Sequence, residues 1–472
     1  MSKRNQVLIA GGGISGIFAA LLLAQSTPKR DIVLVERAQT LGGLYSSFDY
    51  AEFGYFDHGP HLFYESCRPE VDRVIREVIP ESEWIFLSGN QKDIAGVYHH
   101  NVLQTNSNYM DLRLVKEINL PTAIGDFFLN LAQSKVEGEP RSAGDYFLSQ
   151  FGPQILNSVI EPVIRKLWGC ASTELSPFVA KMVAMDRIIL FDSDVMADLM
   201  KSDRIRSRLA YPDQVNLPAG WRTSSQRGLY PKSFGLVRFV NAAYEKLKRL
   251  GVTIITEGSI DTLDIRNGEV KGAKVSHSSG VCEYSSLEFV HWTAGMVPLE
   301  RLLGADATTS QSLRTRKVVF VNALLKDAPT MADNYYVYCF EHGFNTHRVT
   351  NFTSYCPSAH RERGFPISIE LHFDGQENIA LDQMAPLAAA ELLQMGLIKG
   401  TESILWISVG SGHYMWPIPT LESLERSRVL EAAMNRLRPK NLFTAGPSLH
   451  RDIFFLHDII SDAYNTLVHR ID

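Results

Sequence analysis

Apolar residues crowd the start of the chain. Residues 6–10 read as a short strand buried on both faces, three glycines follow, and residues 17–25 continue as a helix apolar on every side. Residues 32–35 form a second apolar strand that stops at Glu36. The same kind of pattern returns much later. Residues 236–250 have helical spacing and lead into a strand at 251–255, and residues 260–265 and 270–276 alternate around Asn267-Gly268, a hairpin signal. Residues 289–295 and 441–446 read as further strands ending in turns, and 458–468 as a helix. Between these pieces lie two long inserts. Residues 70–220 are helical in pattern, and residues 300–430 mix helices with strands at 318–325, 335–340 and 367–373. Clusters of Pro, Gly and Ser at 217–228 and 410–419 mark crossovers between the pieces. The expectation is a discontinuous α/β unit interrupted by two inserts, one helical and one mixed α+β.

The first turn carries chemistry. Gly11-Gly12-Gly13-Ile14-Ser15-Gly16 has the spacing G-x-G-x-x-G, and Glu36 lies 20 residues beyond Gly16. Strand, glycine turn, helix, strand and acid in this order form the dinucleotide fingerprint. Gly11 permits the tight turn, Gly13 lets backbone approach a pyrophosphate, and Gly16 lets helix and strand pack closely. The helix start at Ile14 and Ser15 offers unpaired N–H groups and partial positive charge to phosphates. Glu36 can accept hydrogen bonds from ribose hydroxyls.

Composition adds limits. The 472 residues are 45% hydrophobic and 21% charged with a net charge of −5, an ordinary globular balance that disfavours nucleic-acid binding. The cysteines are 5 in number and scattered without a C-x-x-C pair, which fits a reducing, cytoplasmic setting and suggests neither a zinc site nor a disulfide framework. His58-x-x-His61 and His99-His100 lack further ligands at standard spacing, so no metal is expected. No segment is long and apolar enough for a transmembrane helix.

Past Glu36 come Arg37 and then Leu41-Gly42-Gly43-Leu44. This run resembles the extended FAD motif of flavin amine oxidases and protoporphyrinogen oxidase-like proteins. Further segments resemble the UDP-galactopyranose mutase-like branch of that superfamily: Phe56-Asp57-His58-Gly59-Pro60-His61-Leu62-Phe63, Lys166-Leu167-Trp168, the stretch from His347-Arg348 to Pro357 with Glu370 beyond it, and Tyr414-Met415-Trp416-Pro417. The resemblance implies a Rossmann-like, glutathione-reductase-like FAD-binding domain made of residues 1–69, 226–300 and 435–472. A mainly helical cap (70–225) and a mixed α+β substrate domain (301–434) would complete it. It implies a cofactor site of Gly11, Gly13, Ile14, Ser15, Gly16, Glu36, Arg37, Gly42, Gly43, Leu44, Gly59, His61, Ile260, Thr293, Gly446, Asp458 and Ile459. His61 would sit beside the flavin ring, and the last helix would point its positive end at it. His61 and Arg348 would be catalytic. Lys166, Trp168, Arg348, Tyr414, Trp416 and Arg451 would face a small-molecule substrate, with Arg348 in the place of an arginine that grips a pyrophosphate.

The closing segment departs from the mutase pattern. Pro447 stands where those enzymes carry an arginine, and Asp452 where they carry a tyrosine, with Arg451 as a substitute cation. The expectation is therefore an FAD-dependent oxidoreductase that transfers a hydride to flavin N5 from a small organic or sugar-like substrate, with a nucleotide sugar among the candidates. A redox-neutral mutase using reduced flavin as nucleophile and a non-catalytic flavoprotein are the alternatives.

Overall fold

The computed structural model describes residues 5–27, 29–92, 94–133, 139–218, 220–221, 226–304, 313–360, 364–410, 414–448 and 451–471. The two crossover loops expected at 217–228 and 410–419 lie partly outside them. The chain divides into two compact units. The first comprises Met1–Phe86, Gln226–Ser312 and Glu425–Asp472, the second Leu87–Ser225 and Leu313–Leu424.

The first unit is built on a parallel sheet of five strands. Its order is Thr253–Ile255, β2 (Asp31–Val35), β1 (Gln6–Ala10), Leu287–Trp292 and Leu442–Thr444. Parallel strands are covered on both faces, which is why these read as unbroken apolar runs. Helix α1 (Ile14–Gln25) follows β1 and buries 11 of its residues, from Ile14 to Ala24. The C-terminal helix Leu456–Leu467 packs against it. The hairpin at Asn267-Gly268 forms as expected, with both residues at positive φ (55° and 73°), the geometry of a two-residue turn.

The second unit centres on a mixed sheet. Its strand order is Ile404–Val409, Thr315–Leu325, Phe365–Asp374, Thr346–Asn351, Tyr336–Cys339, Ala95–His99 and Val102–Gln104, with Tyr414–Pro417 also paired to Thr315–Leu325. The strand alternation is sharp. One face carries Val319, Val321, Ala323, Ile367, Ile369 and Leu371 and packs with the helix Met384–Gln394 into a closed apolar core. The other carries Arg316, Asn322, Arg348, Ser368, Glu370 and His372.

The inserts expected as two separate domains, 70–225 and 301–434, differ from this division. Ala95–His99 pairs in parallel with Tyr336–Cys339, so the first insert supplies two strands to the sheet of the second. A strand of five residues, the first four of them buried, carries little signal inside a helical neighbourhood, and its partner lies more than two hundred residues away. Among the described residues, no helix is long and apolar enough to cross a membrane.

Candidate functional site

The glycine turn of the first unit is fixed from behind. Gly11 N donates to Val35 O (2.8 Å), and the Thr293 hydroxyl donates to Ala10 O (2.8 Å) and Gly11 O (3.1 Å). Thr293 thus acts on the turn's backbone. A Cβ on Gly16 would lie 1.8 Å from Gly11 O, so glycine there is a packing requirement of the protein itself. Gly13 is different: a Cβ on it would meet nothing within 4 Å. Gly13 also caps α1 without any side-chain hydrogen bond, and α1 has no acidic residue in its first turn. Its positive end is therefore uncompensated. Ser15 Oγ is buried beside it without a hydrogen-bond partner.

Glu36 emerges from β2 and accepts from Gly12 N at 2.6 Å and Ala38 N at 2.7 Å. A carboxylate has about four lone-pair positions, so two acceptor positions remain for ribose hydroxyls. The second glycine turn lies directly against the first. Gly42 N donates to Gly12 O (2.8 Å), Gly42 and Gly43 have φ of 109° and 57°, and Gly13 and Gly42 form a bridge. Arg37 and Leu44 project outward, Leu44 at 45% exposure. These features fit a dinucleotide: phosphate at the end of α1, ribose at Glu36, and backbone free of side chains at Gly13 and Gly43.

The segment with His61 hangs on a buried acid that sequence reasoning left unassigned. Asp57 is fully buried and accepts from Ser47 Oγ (2.5 Å), Leu236 N (3.0 Å) and the Tyr230 hydroxyl. It thereby ties the strand before Gly59 to the start of the helix Val237–Arg249. Only the sequence-distant Tyr230 could have signalled this, and nothing in local spacing links the two. Burial pushes the Asp57 carboxyl up to about 6, against the pull of its three donors. Its stabilising contribution is then fully present below pH 3.8 and is lost as pH rises through about 6. Asp57→Asn should flatten the stability–pH curve across that window by about 3 kcal/mol relative to the parent, measured by denaturant unfolding from pH 4 to 7. Identical slopes would show that Asp57 is ionised throughout. The neighbouring His58 donates through Nδ1 to Ser46 O (2.8 Å), and burial lowers it to about 4, so it is neutral near pH 7. His61 is half-buried, with its ring 5.8 Å from that of Tyr45.

The remaining cofactor candidates divide. Gly446 N donates to Asp462 Oδ2 (3.1 Å), and a Cβ on Gly446 would come no closer than 4.0 Å to Thr293 O, another open glycine near the turn. Asp458 accepts from Phe455 N (3.2 Å) and so caps the C-terminal helix, with Ile459 half-buried in the next position. Ile260 packs into the apolar core behind the sheet. Arg451 is held by Asp462 Oδ1 at 3.0 Å and Glu431 at 3.8 Å.

Of the substrate candidates, Lys166, Trp168, Arg348, Tyr414 and Trp416 share the second unit, and Arg451 belongs to the first. Lys166 and Trp168 lie on Glu161–Trp168, the end of a helical run that opens into a wide π turn at Leu156–Ile160, just before Pro162. Proline lacks the N–H and its ring crowds the preceding turn, and the wider turn relieves both. Lys166 is half-buried, and its ammonium donates to Cys339 O and Thr346 O, both at 2.5 Å. Desolvation lowers its pKa. Arg348 forms a two-pronged pair with Glu370, Nε to Oε1 at 2.7 Å and Nη2 to Oε2 at 3.0 Å, flanked by the rings of Tyr336 and Tyr338. Burial opposes the charge on Arg348, but Glu370 outweighs it and holds the guanidinium charged. Trp416 stands 5.8 Å from Trp168, edge-on, and Tyr414 is half-buried beside Phe320.

A family model described as an NAD(P)-binding Rossmann-like domain matches residues 9–78. The crystal structure of reduced UDP-galactopyranose mutase superposes over 99% of this chain and 95% of that one, with a TM-score of 0.73 and 16% identity. Cyclohexylamine oxidase from Brevibacterium oxydans IH-35A covers 99% and 98%, with a TM-score of 0.60 and 11% identity. The fold is therefore shared with these two enzymes over nearly the whole chain. Coproporphyrinogen III oxidase from Staphylococcus aureus is 23% identical over 275 residues, which is 55% of each chain, so this chain spans about half the length of that relative. The Rossmann-like dinucleotide-binding region is the part that both the family model and the glycine geometry describe.

Proposed function

We propose that the chain is an FAD-dependent oxidoreductase acting on a small organic or sugar-like substrate. The observation that carries this reading is the pair of touching glycine turns, Gly11–Gly16 and Gly42–Gly43, with Gly13 opening onto free space and Glu36 keeping acceptor capacity. Residues 1–69, 226–300 and 435–472 would hold the cofactor, and the inserts 70–225 and 301–434 the substrate. FAD, when bound, supplies a hydride acceptor. The protein's own part is to bind and orient. The end of α1 takes the pyrophosphate, Glu36 takes the adenosine ribose, and Gly42, Gly43 and Gly59 keep the path beyond clear of side chains. His61 shapes the far end. Unit two offers aromatic walls in Tyr336, Tyr414 and Trp416.

A test begins with the pure protein. Heating should release a yellow compound with the mass of FAD, and an anaerobic substrate screen should bleach the colour with at least one candidate. Colourless protein that also fails to bind added FAD would overturn the reading. The second reading is a sugar-nucleotide mutase, favoured by the superposition on UDP-galactopyranose mutase and by the motif at Arg348. The pairing of Arg348 with Glu370 and of Arg451 with Asp462 weighs against it, because both arginines already hold carboxylates. Isomerisation of UDP-galactopyranose by pre-reduced protein, with no flavin bleaching by any substrate, would reverse the order of the two.

A further inference from the structure

Three cations stand among the expected substrate residues, and all three have partners: Lys166 has two carbonyls, Arg348 has Glu370, and Arg451 has Asp462 and Glu431. A fourth was not expected. Arg316, at the start of the strand Thr315–Leu325, is half-buried and has neither a hydrogen bond nor an ion pair among the described residues. Its Nε is shut off from solvent without a partner. Its neighbours differ: Arg314 pairs with Glu174 (3.1 Å) and Lys317 donates to Glu377 O (2.5 Å).

Aromatic rings and neutral imidazoles border Arg316 on the sheet face, and two acids lie further off. Trp416 opposes it in register, and its Nη1 lies 3.2 Å from where Gly169 would carry a Cβ, so the guanidinium rests on the backbone next to Trp168. His372 lies 5.5 Å from Trp416 and stacks on His347 at 4.0 Å. Burial keeps both imidazoles neutral, well below their ordinary range. The facing acid, Asp374, is opposite Arg316 in register but spends Oδ1 on Gln376 N (2.9 Å) and makes no ion pair with it. Asp374 and then Glu377 attract Arg316 only at longer range, without a hydrogen bond. A partly desolvated guanidinium without a counter-ion is costly, and its planar fork suits a carboxylate or phosphate.

We infer that Arg316 is the anion-recognition residue of the second unit, taking the oxyanion of a ring-bearing organic ligand that packs on Trp416. This rests on the reading of the second unit as the substrate side and names the substrate's class: an aromatic or cyclic carboxylate or phosphate.

Benzoate and phenyl phosphate serve as probes on the purified full-length protein, with tryptophan fluorescence as readout, Trp416→Phe to assign the signal, and flavin content measured in the same sample. At least one probe should quench and saturate, and the probe that does so identifies carboxylate or phosphate. Neutral benzamide should not. Arg316→Gln should weaken binding by about tenfold or more, Arg316→Lys by less, and Asp374→Asn should leave it within about twofold. The Lys variant keeps the test informative should the Gln variant fold poorly. Equal binding by the parent and Arg316→Gln, equal binding of benzamide, or failure of both probes on the parent would overturn the inference. Probe binding that depends on Arg316 in protein unable to hold flavin would instead overturn the cofactor reading and leave this one standing.

Discussion

Gly13→Val should yield a folded protein that no longer holds its cofactor. The backbone at Gly13 (φ −67°, ψ −178°) is open to any residue, and a Cβ there would touch no protein atom within 4 Å. The added isopropyl group therefore strains nothing in the cofactor-free chain, but it fills the space through which backbone N–H groups would reach a pyrophosphate. Losing two charge-assisted hydrogen bonds at about 1.5–3 kcal/mol each corresponds to a hundredfold or greater loss of affinity. The measurement is paired: FAD titration of parent and variant, and thermal unfolding of both after the cofactor has been stripped. Equal FAD affinity would place the phosphate elsewhere. A fall in the stripped protein's stability would show that the space is needed by the protein. Gly16 offers the contrast, because its hydrogen faces Gly11 O and any side chain there displaces the turn itself.

The largest stability loss is expected at Arg348→Ala. Glu370 has a side chain only 4% exposed, and burial already pushes its carboxyl up, with Arg348 as the opposing influence. Removing the guanidinium leaves a buried acid without its counter-ion, at a cost of about 3–5 kcal/mol. Replacing both residues, Arg348→Met with Glu370→Met, should recover most of that loss, since the pair's desolvation disappears with it. Denaturant unfolding of the four members of the cycle decides the matter. A double variant as unstable as Arg348→Ala would mean that the cost lies in lost packing against Tyr336 and Tyr338.

The turn after β1 was legible in the sequence because its demands are local. Gly11 and Gly16 are needed by atoms within a few residues, Gly13 opens onto free space, and Glu36 follows at a distance set by one helix. The same holds for Asn267-Gly268, where two residues fix the hairpin. What was not legible depends on partners far along the chain. Asp57 looks like one acid in a motif until Tyr230 and Leu236 fold onto it. Arg316 escaped because the apolar alternation becomes readable only at Val318, whereas the strand begins at Thr315. Charged residues at the mouth of a strand carry no mark that tells a solvated side chain from a desolvated one. Lys166 and Arg348 were named in the sequence as substrate candidates, yet periodicity cannot say that a carbonyl pair or a carboxylate has already claimed them.

The parallel sheet of the first unit also constrains how the protein comes into being. Its fifth strand, Leu442–Thr444, is made long after the other four, and the helix that covers α1 later still. On the ribosome, the Leu287–Trp292 edge must wait bare while the rest of the second sheet is synthesised. Pairings across such sequence distances close slowly and leave a sticky rim in the meantime. Slowing synthesis should therefore raise the fraction of chain that reaches the folded state.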